Sequence, residues 1–107
     1  MTTVEFFEQD GKISGFSVSG HSGYGIDGTD IVCAAVSTAV KFAEATITDV
    51  LGVKTKTKVN EAQARVTLTV PANCEQEDAV QAVLVGMMLT LVSLRDDYPD
   101  YIEVMEV

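Results

Sequence analysis

Two side chains able to act as a nucleophile and a base flank a glycine-rich stretch in the first third of the chain. His21 is the only histidine of the sequence, and Cys33 is one of its two cysteines. Between them, Gly23, Gly25 and Gly28 interrupt any regular element. A thiol near a helix start, with an imidazole able to fold back onto it, is how proteins make a thiolate nucleophile. The spacing therefore predicts a Cys33/His21 pair.

The predicted position of Cys33 favours negative charge on its sulfur. A helix is expected to begin with Asp30 as its N-cap, which places Cys33 in the first turn, where backbone N–H groups lack intrahelical acceptors. The helix dipole there favours an anion by about 0.3–1 kcal/mol, too little to ionise an ordinary thiol at neutral pH. A neighbouring imidazolium can supply the larger part. His21 is the single candidate for that role.

Three further positions are candidates for supporting roles. Asp30 either caps the helix or orients the imidazole of His21, as the third member of a triad does. Ser37 lies one helical turn after Cys33 and either lines the site or bonds back into its own helix. The amide of Gly20, together with those near Cys33, can donate to a developing oxyanion. The glycines of the intervening loop would let it close over the site.

Other interpretations of the same residues are weaker or less specific. A lone helical cysteine is usually a small core residue, and Cys74 is predicted to be an inert thiol. One histidine and two distant cysteines lack zinc-site spacing, so neither a metal nor another cofactor is expected. The spacing Gly23-x-Gly25-x-x-Gly28 imitates a dinucleotide fingerprint but lacks the βαβ unit that this motif requires.

The elements that must position these residues follow from hydrophobic periodicity and turn signals. Asp10-Gly11 indicates a hairpin, Gly52 ends the first helix, Asn73 is the expected cap of the second, and Pro99 stops it. The expected strands are residues 2–8, a run through Ile13, Phe16 and Val18, then 53–59, 63–70 and 101–106; the expected helices are residues 31–51 and a second ending near Asp97. The order ββαββαβ predicts an α+β fold with a mixed sheet of about five strands and two helices.

Composition and net charge limit the partners and the cellular location that we expect for this chain. The 107 residues are expected to form a single domain, residues 1–107. A net charge of −9 argues against direct nucleic-acid binding and favours basic partners. The N-terminus lacks a basic signal-peptide start, and no apolar run approaches the ~18 residues that span a bilayer, so no membrane contact is expected. The predicted location is the cytoplasm, where Cys33 and Cys74 stay unpaired.

The second helix is apolar on nearly all its faces, from Val80 to Leu94. Such a helix needs cover on more than one side, from the sheet and from the first helix or a partner subunit. The sequence therefore predicts a homodimer.

The segment from Gly20-His21 through Gly28-x-Asp30-Ile31-Val32-Cys33-Ala34-Ala35-Val36-Ser37 resembles the signature of Prp, the ribosomal-processing cysteine protease family. The likeness extends over essentially the whole chain. One departure is Ser22, where an alanine commonly follows the histidine, and it concerns loop detail alone.

The resemblance implies a small dimeric α+β enzyme that removes an N-terminal extension from large-subunit ribosomal protein twenty-seven. It places the nucleophile on Cys33 and the base on His21, gives Asp30 and Ser37 supporting roles, and makes residues 22–29 a loop that closes on substrate. The function expected is a cysteine endopeptidase acting through an acyl-enzyme on a ribosomal protein precursor. The alternatives are a non-catalytic ribosome-associated binding module, in which Cys33 is buried, and a thiol redox sensor.

Overall fold

The strands and helices of the computed structural model follow the predicted order. The structure describes residues 1–20 and 29–107, with the backbone alone for Thr29 and Asp30. Its elements are β1 (Thr2–Gln9), β2 (Lys12–Ser19), α1 (Thr29–Ala45) continued by a π-helical turn (Thr46–Val50), β3 (Lys56–Asn60), β4 (Arg65–Thr69), α2 (Glu77–Asp97) and β5 (Ile102–Glu106). The predicted α+β class with five strands and two helices is confirmed.

The five strands form one mixed sheet in the order β3-β4-β2-β1-β5. The β1–β2, β2–β4 and β3–β4 pairs are antiparallel, whereas β1 and β5 run parallel. Asp10 and Gly11 join β1 to β2 with φ angles of 54° and 77°. Positive φ at both central residues is what a tight hairpin turn requires, which confirms the turn predicted there.

One face of the sheet carries the hydrophobic core. Alternate residues of β1, β2 and β4 are buried with residues of both helices, so α1 and α2 cover the same face; the buried set includes Val4, Phe6, Phe16, Leu68, Val32, Val36, Leu84 and Leu91. The Phe6 and Phe16 rings contact each other with centroids 6.0 Å apart. On the other face, Arg65 donates to Ser17 Oγ at 3.1 Å and to Glu5 Oε1 at 3.3 Å.

Two of the predicted helix boundaries are wrong at their N-terminal ends. The first helix begins at Thr29, so Asp30 lies inside its first turn rather than at the cap. The second begins at Glu77 after Gln76, which makes no side-chain cap hydrogen bond. Asn73, the expected cap, instead occupies a turn with φ 58°. Asparagine tolerates this left-handed conformation, and it suits a turn as well as a cap.

The regular part of α1 ends earlier than the apolar stripe predicts. Residues 46–50 form a π-helical turn in which the Thr46 and Thr48 hydroxyls donate to the carbonyls of Phe42 and Glu44, each at 2.7 Å. Threonine is stiff and bonds back to the preceding turn, which locally loosens the helical ladder. The strands after it are also shorter than predicted: β3 begins at Lys56, and β4 begins at Arg65 because Ala64 is in a turn with φ 47°.

Both helical segments are long and apolar enough to cross a membrane by length and composition. They are Ile31–Val50, with a mean hydropathy of 1.4, and Glu77–Asp97, with 1.5. This corrects the expectation that no segment would meet that criterion. In the structure, each helix packs a buried stripe onto the sheet, and 22% of each apolar segment is buried.

Candidate active site

Cys33 lies on α1 at the end of the sheet where β1 begins. Its side chain is partly exposed, and its Sγ lies 3.9 Å from Oγ1 of Thr2. Counting from Thr29, Cys33 is the fifth residue of the helix, two residues further along than predicted. The effect of the helix dipole fades beyond the first turn, so the dipole acts more weakly at Cys33 than the sequence suggests.

The chain leaves β2 beside this cysteine. Ser19 pairs with Thr3, and Gly20 follows with a φ of 74°. A Cβ at Gly20 would lie 2.5 Å from the carbonyl oxygen of Met1. The backbone at Gly20 therefore lies against Met1, the residue before Thr2, and Thr2 contacts Cys33. His21 itself lies outside the described residues, but the residue bonded to it is at the same end of the sheet as the thiol.

Several other predicted site residues also fall outside the described part. They are the loop glycines Gly23, Gly25 and Gly28 and the side chain of Asp30, whose backbone is in the first turn of α1. Ser37 is half-buried one turn after Cys33 and makes no hydrogen bond to another described residue, unlike Thr38, which donates to the carbonyl of Ala34 at 2.8 Å. Its hydroxyl is thus not used to bond back into the helix.

Cys74 lies at the opposite end of the sheet. It lines a cavity of about 330 Å³ together with Ile13 and Val70, near the start of β2, whereas Cys33 is beside the end of that strand. Across eight residues of strand, the two ends are about 23 Å apart. Both cysteines are free, as predicted. Cys74 is therefore separate from the site and can serve as an internal control for thiol chemistry.

An ion pair near the Cys74 end of the sheet changes the pKa of a lysine. Lys12 forms an ion pair with Glu77, and the hydrogen bond that its ammonium donates to that carboxylate raises the pKa of Lys12 above its ordinary value of 10.5. The pair joins β2 to the start of α2 and is remote from Cys33. Among the side chains of residues 1–20 and 31–107, no group of three or more His, Cys, Asp or Glu is placed to hold a metal ion.

Thr2 is the residue near the thiol that the sequence did not single out. It is one of two buried polar residues among those described, with Ser17, and it shares the core face of β1 with Val4 and Phe6. The alternation of buried and exposed residues along β1 predicts an apolar side chain at Thr2, so a hydroxyl there is a signal that the sequence could have offered. What it contacts became evident only from the fold.

The chain shares its fold with solved cysteine proteases. A family model described as cysteine protease Prp matches residues 1–103. The ribosomal processing protease Prp from S. aureus in complex with a substrate peptide superposes with a TM-score of 0.87 at 21% identity, covering 100% of both chains. The same protease with a covalently linked product peptide gives 0.83 at 22%, again covering 100% of both chains.

A protein from Streptococcus mutans, SMU.848, gives a TM-score of 0.86 at 21% identity, with 100% of this chain and 94% of that chain covered. No curated protein sequence matches the chain. The identities of the solved structures are low enough that they establish the fold alone, while the family model covers nearly the full length. The chain therefore belongs to the Prp family of cysteine proteases.

Proposed function

We propose that this protein is a cysteine endopeptidase in which Cys33 is the nucleophile and His21 the general base. The observation that carries the proposal is the meeting of two segments at one end of the sheet. Cys33 on α1 contacts Thr2, and Gly20, the residue before His21, lies against Met1. A partly exposed thiol at this position is open to a peptide, whereas the alternative binding module needs it buried.

The mechanism follows from ordinary thiol chemistry. The imidazole of His21 takes the proton from Cys33 Sγ, and the thiolate attacks the scissile carbonyl carbon. The imidazolium then gives its proton to the departing amine as the C–N bond breaks, leaving a thioester on Cys33. Water, deprotonated by the same imidazole, hydrolyses that thioester and restores the thiol. Backbone N–H groups of Gly20 and of the start of α1 are the proposed donors to the oxyanion of each tetrahedral intermediate.

Supporting roles are proposed for Asp30 and Ser37. The backbone of Asp30 lies in the first turn of α1, and the role proposed for its carboxylate is to stabilise the helix start or to orient the imidazole of His21. Ser37, on the same helix face as Cys33, offers a hydroxyl to the bound peptide. The loop 22–29, with Gly23, Gly25 and Gly28, is proposed to close on substrate.

The proposed substrate is the N-terminal extension of large-subunit ribosomal protein twenty-seven. Family membership supports it, and so does charge, because a protein of net charge −9 attracts a basic ribosomal protein and raises its encounter rate. The same charge disfavours direct nucleic-acid binding. The proposed location is the cytoplasm, with no membrane partner and no cofactor.

We also propose a homodimer formed through the outer faces of the two helices. A groove of about 720 Å³ runs between α1 and α2 and is lined mostly by small or apolar residues. Phe42, on its wall, is 68% exposed, and Leu89 on α2 is 61% exposed. A second copy would remove these side chains from water, at about 25 cal/mol per Å² of apolar surface buried.

Light scattering at micromolar concentration tests the dimer. We expect twice the chain mass for the native protein and the monomer mass for Phe42→Glu. Val59→Glu is the matched control, because Val59 is 65% exposed but lies on the edge strand β3. A monomeric native protein, or equal dissociation in both variants, contradicts the proposed interface.

The protease assignment is tested with the precursor ribosomal protein as substrate. We expect the native chain and Cys74→Ser to remove the extension, Cys33→Ser to be inactive, and His21→Ala to be nearly inactive. Because Cys74 is a free, half-buried thiol like Cys33, its replacement controls for the loss of a thiol as such. Turnover by Cys33→Ser at the native rate would overturn the proposal.

A further inference from the structure

The side chain that faces the nucleophile sulfur from the sheet is a buried hydroxyl. Thr2 is 2% exposed, and its Oγ1 lies 3.9 Å from Sγ of Cys33. Its backbone is held in the sheet, with the N–H donating to the carbonyl of Tyr101 at 2.9 Å and with Ile102 of β5 as its strand partner. The hydroxyl is thus presented to the sulfur from a fixed support rather than from a loop.

Packing alone does not call for a threonine at this position. Val4 and Phe6 fill the same face of β1 with purely apolar side chains, and valine has the shape of threonine without the hydroxyl. Burying a hydroxyl is costly unless it has a hydrogen-bond partner. Among the described residues, the sulfur of Cys33 is the partner of this hydroxyl.

A hydroxyl suits both protonation states of a catalytic cysteine. It can accept from the S–H of the thiol and, after a small rotation, donate its own O–H to the sulfur of the thiolate. A hydrogen bond to an ionised group is stronger than one between neutral groups, so the contact gains strength when the thiolate forms. The β-branched side chain of threonine has few χ1 rotamers, so the donor stays aimed at the sulfur.

We infer that Thr2 is a positioning residue for the nucleophile: its hydroxyl holds Cys33 Sγ in one orientation and donates a hydrogen bond to the thiolate. The inference rests on the proposed role of Cys33 as the nucleophile. Thr2 acts through the sulfur and needs no contact with the substrate. It would therefore affect the rate of acylation and the thiolate fraction more than substrate binding.

The test compares Thr2→Val, Thr2→Ser and Thr3→Val. Valine removes the hydroxyl and keeps the shape, whereas serine keeps the hydroxyl. Thr3→Val is the matched control, since Thr3 is the next residue of β1, half-buried on the opposite face of the sheet. Each variant is made in a Cys74→Ser background, so that Cys33 is the thiol that reacts, and each is checked for a native melting transition.

The first readout needs no substrate: the rate of alkylation by iodoacetamide as a function of pH. We expect the midpoint for Thr2→Val to rise by about half to one pH unit, where one unit is a tenfold change in the thiolate-to-thiol ratio. Thr2→Ser and Thr3→Val should keep the native midpoint. The nearby charged residues Arg95, Asp96 and Glu103, which line a cavity at this end of the sheet, are unchanged in every variant.

The second readout is cleavage of the precursor protein. At a pH below the native alkylation midpoint, where the thiolate is the minor species, we expect kcat of Thr2→Val to fall about three- to tenfold, in proportion to the lost thiolate, with KM unchanged. An unchanged alkylation midpoint together with an unchanged kcat in Thr2→Val overturns the inference. If instead Cys33→Ser still cleaves, the proposed function fails, and the alkylation profile alone then decides whether Thr2 acts on the thiol.

Discussion

Replacing Gly20 by alanine tests how closely the end of β2 approaches the first residue of the chain. Gly20 has a φ of 74°, and a Cβ there would lie 2.5 Å from the carbonyl oxygen of Met1. Gly52 provides the matched control, because its φ is 68° and a Cβ there would meet nothing within 4 Å. Both variants incur the cost of a left-handed alanine, but only Gly20→Ala adds a clash with backbone.

The two costs can be estimated separately. A left-handed non-glycine residue costs about 1–2 kcal/mol, which is the whole effect expected for Gly52→Ala. Overpacking against atoms that cannot move freely costs about 1–3 kcal/mol more, so Gly20→Ala should destabilise by about 2–5 kcal/mol. Met1 and Thr2 can relieve the clash only by moving, and Thr2 contacts Cys33.

Urea denaturation measures the stability of each variant, and precursor cleavage at a temperature where both are folded measures the activity. We expect Gly52→Ala to retain the native kcat and Gly20→Ala to lose most of it, because the shift displaces the segment leading to His21 from the thiol. Equal stability losses in the two variants would refute the close approach of Gly20 to Met1. Equal activity would refute its importance for the site.

Two further predictions concern stability. Leu84→Ala on α2 should destabilise the protein by about 2–5 kcal/mol in urea denaturation, because Leu84 is fully buried between helix and sheet. The control is Val59→Ala, because Val59 is exposed on β3 and lies outside the proposed dimer interface; an equal loss in Val59→Ala would argue against this core. At pH values below 10.5, Lys12→Met should slightly lower the urea concentration at the unfolding midpoint, because the raised pKa of Lys12 contributes stability there. The difference from the native protein should vanish as the pH rises through the folded-state pKa of Lys12. A difference that grows with pH would contradict the assigned ion pair with Glu77.

The fold was largely predictable because its signals are local. Asp10-Gly11 specifies a hairpin through residues that accept positive φ, and the apolar spacing from Val32 to Ile47 specifies a helix with one buried side. The boundaries were less predictable where one residue type serves two purposes. Asn73 suits a cap as well as a left-handed turn, and Thr46 and Thr48 suit a helix as well as the back-bonding that widens it.

The pairing of Cys33 with His21 is a prediction from residue types, whereas the surroundings of Cys33 could not be predicted. The choice of His21 and Cys33 followed from residue types, since the chain has a single histidine. The neighbour Thr2 could not be assigned to that site from sequence, because it is 31 residues from Cys33 and contacts it only when β1 and α1 pack together. The position of Cys33 within α1 was also missed, because the start of that helix lies next to a glycine-rich segment without periodicity.

The covalent intermediate is the most direct test of Cys33 as the nucleophile. The native enzyme is mixed with the precursor ribosomal protein, quenched in acid within the first turnover, and examined by intact-mass and peptide mass spectrometry. The account predicts an enzyme species heavier by the N-terminal extension less one water, with the thioester mapped to the peptide containing Cys33. Cleavage that proceeds without such an adduct, or with the adduct on another residue, would contradict it.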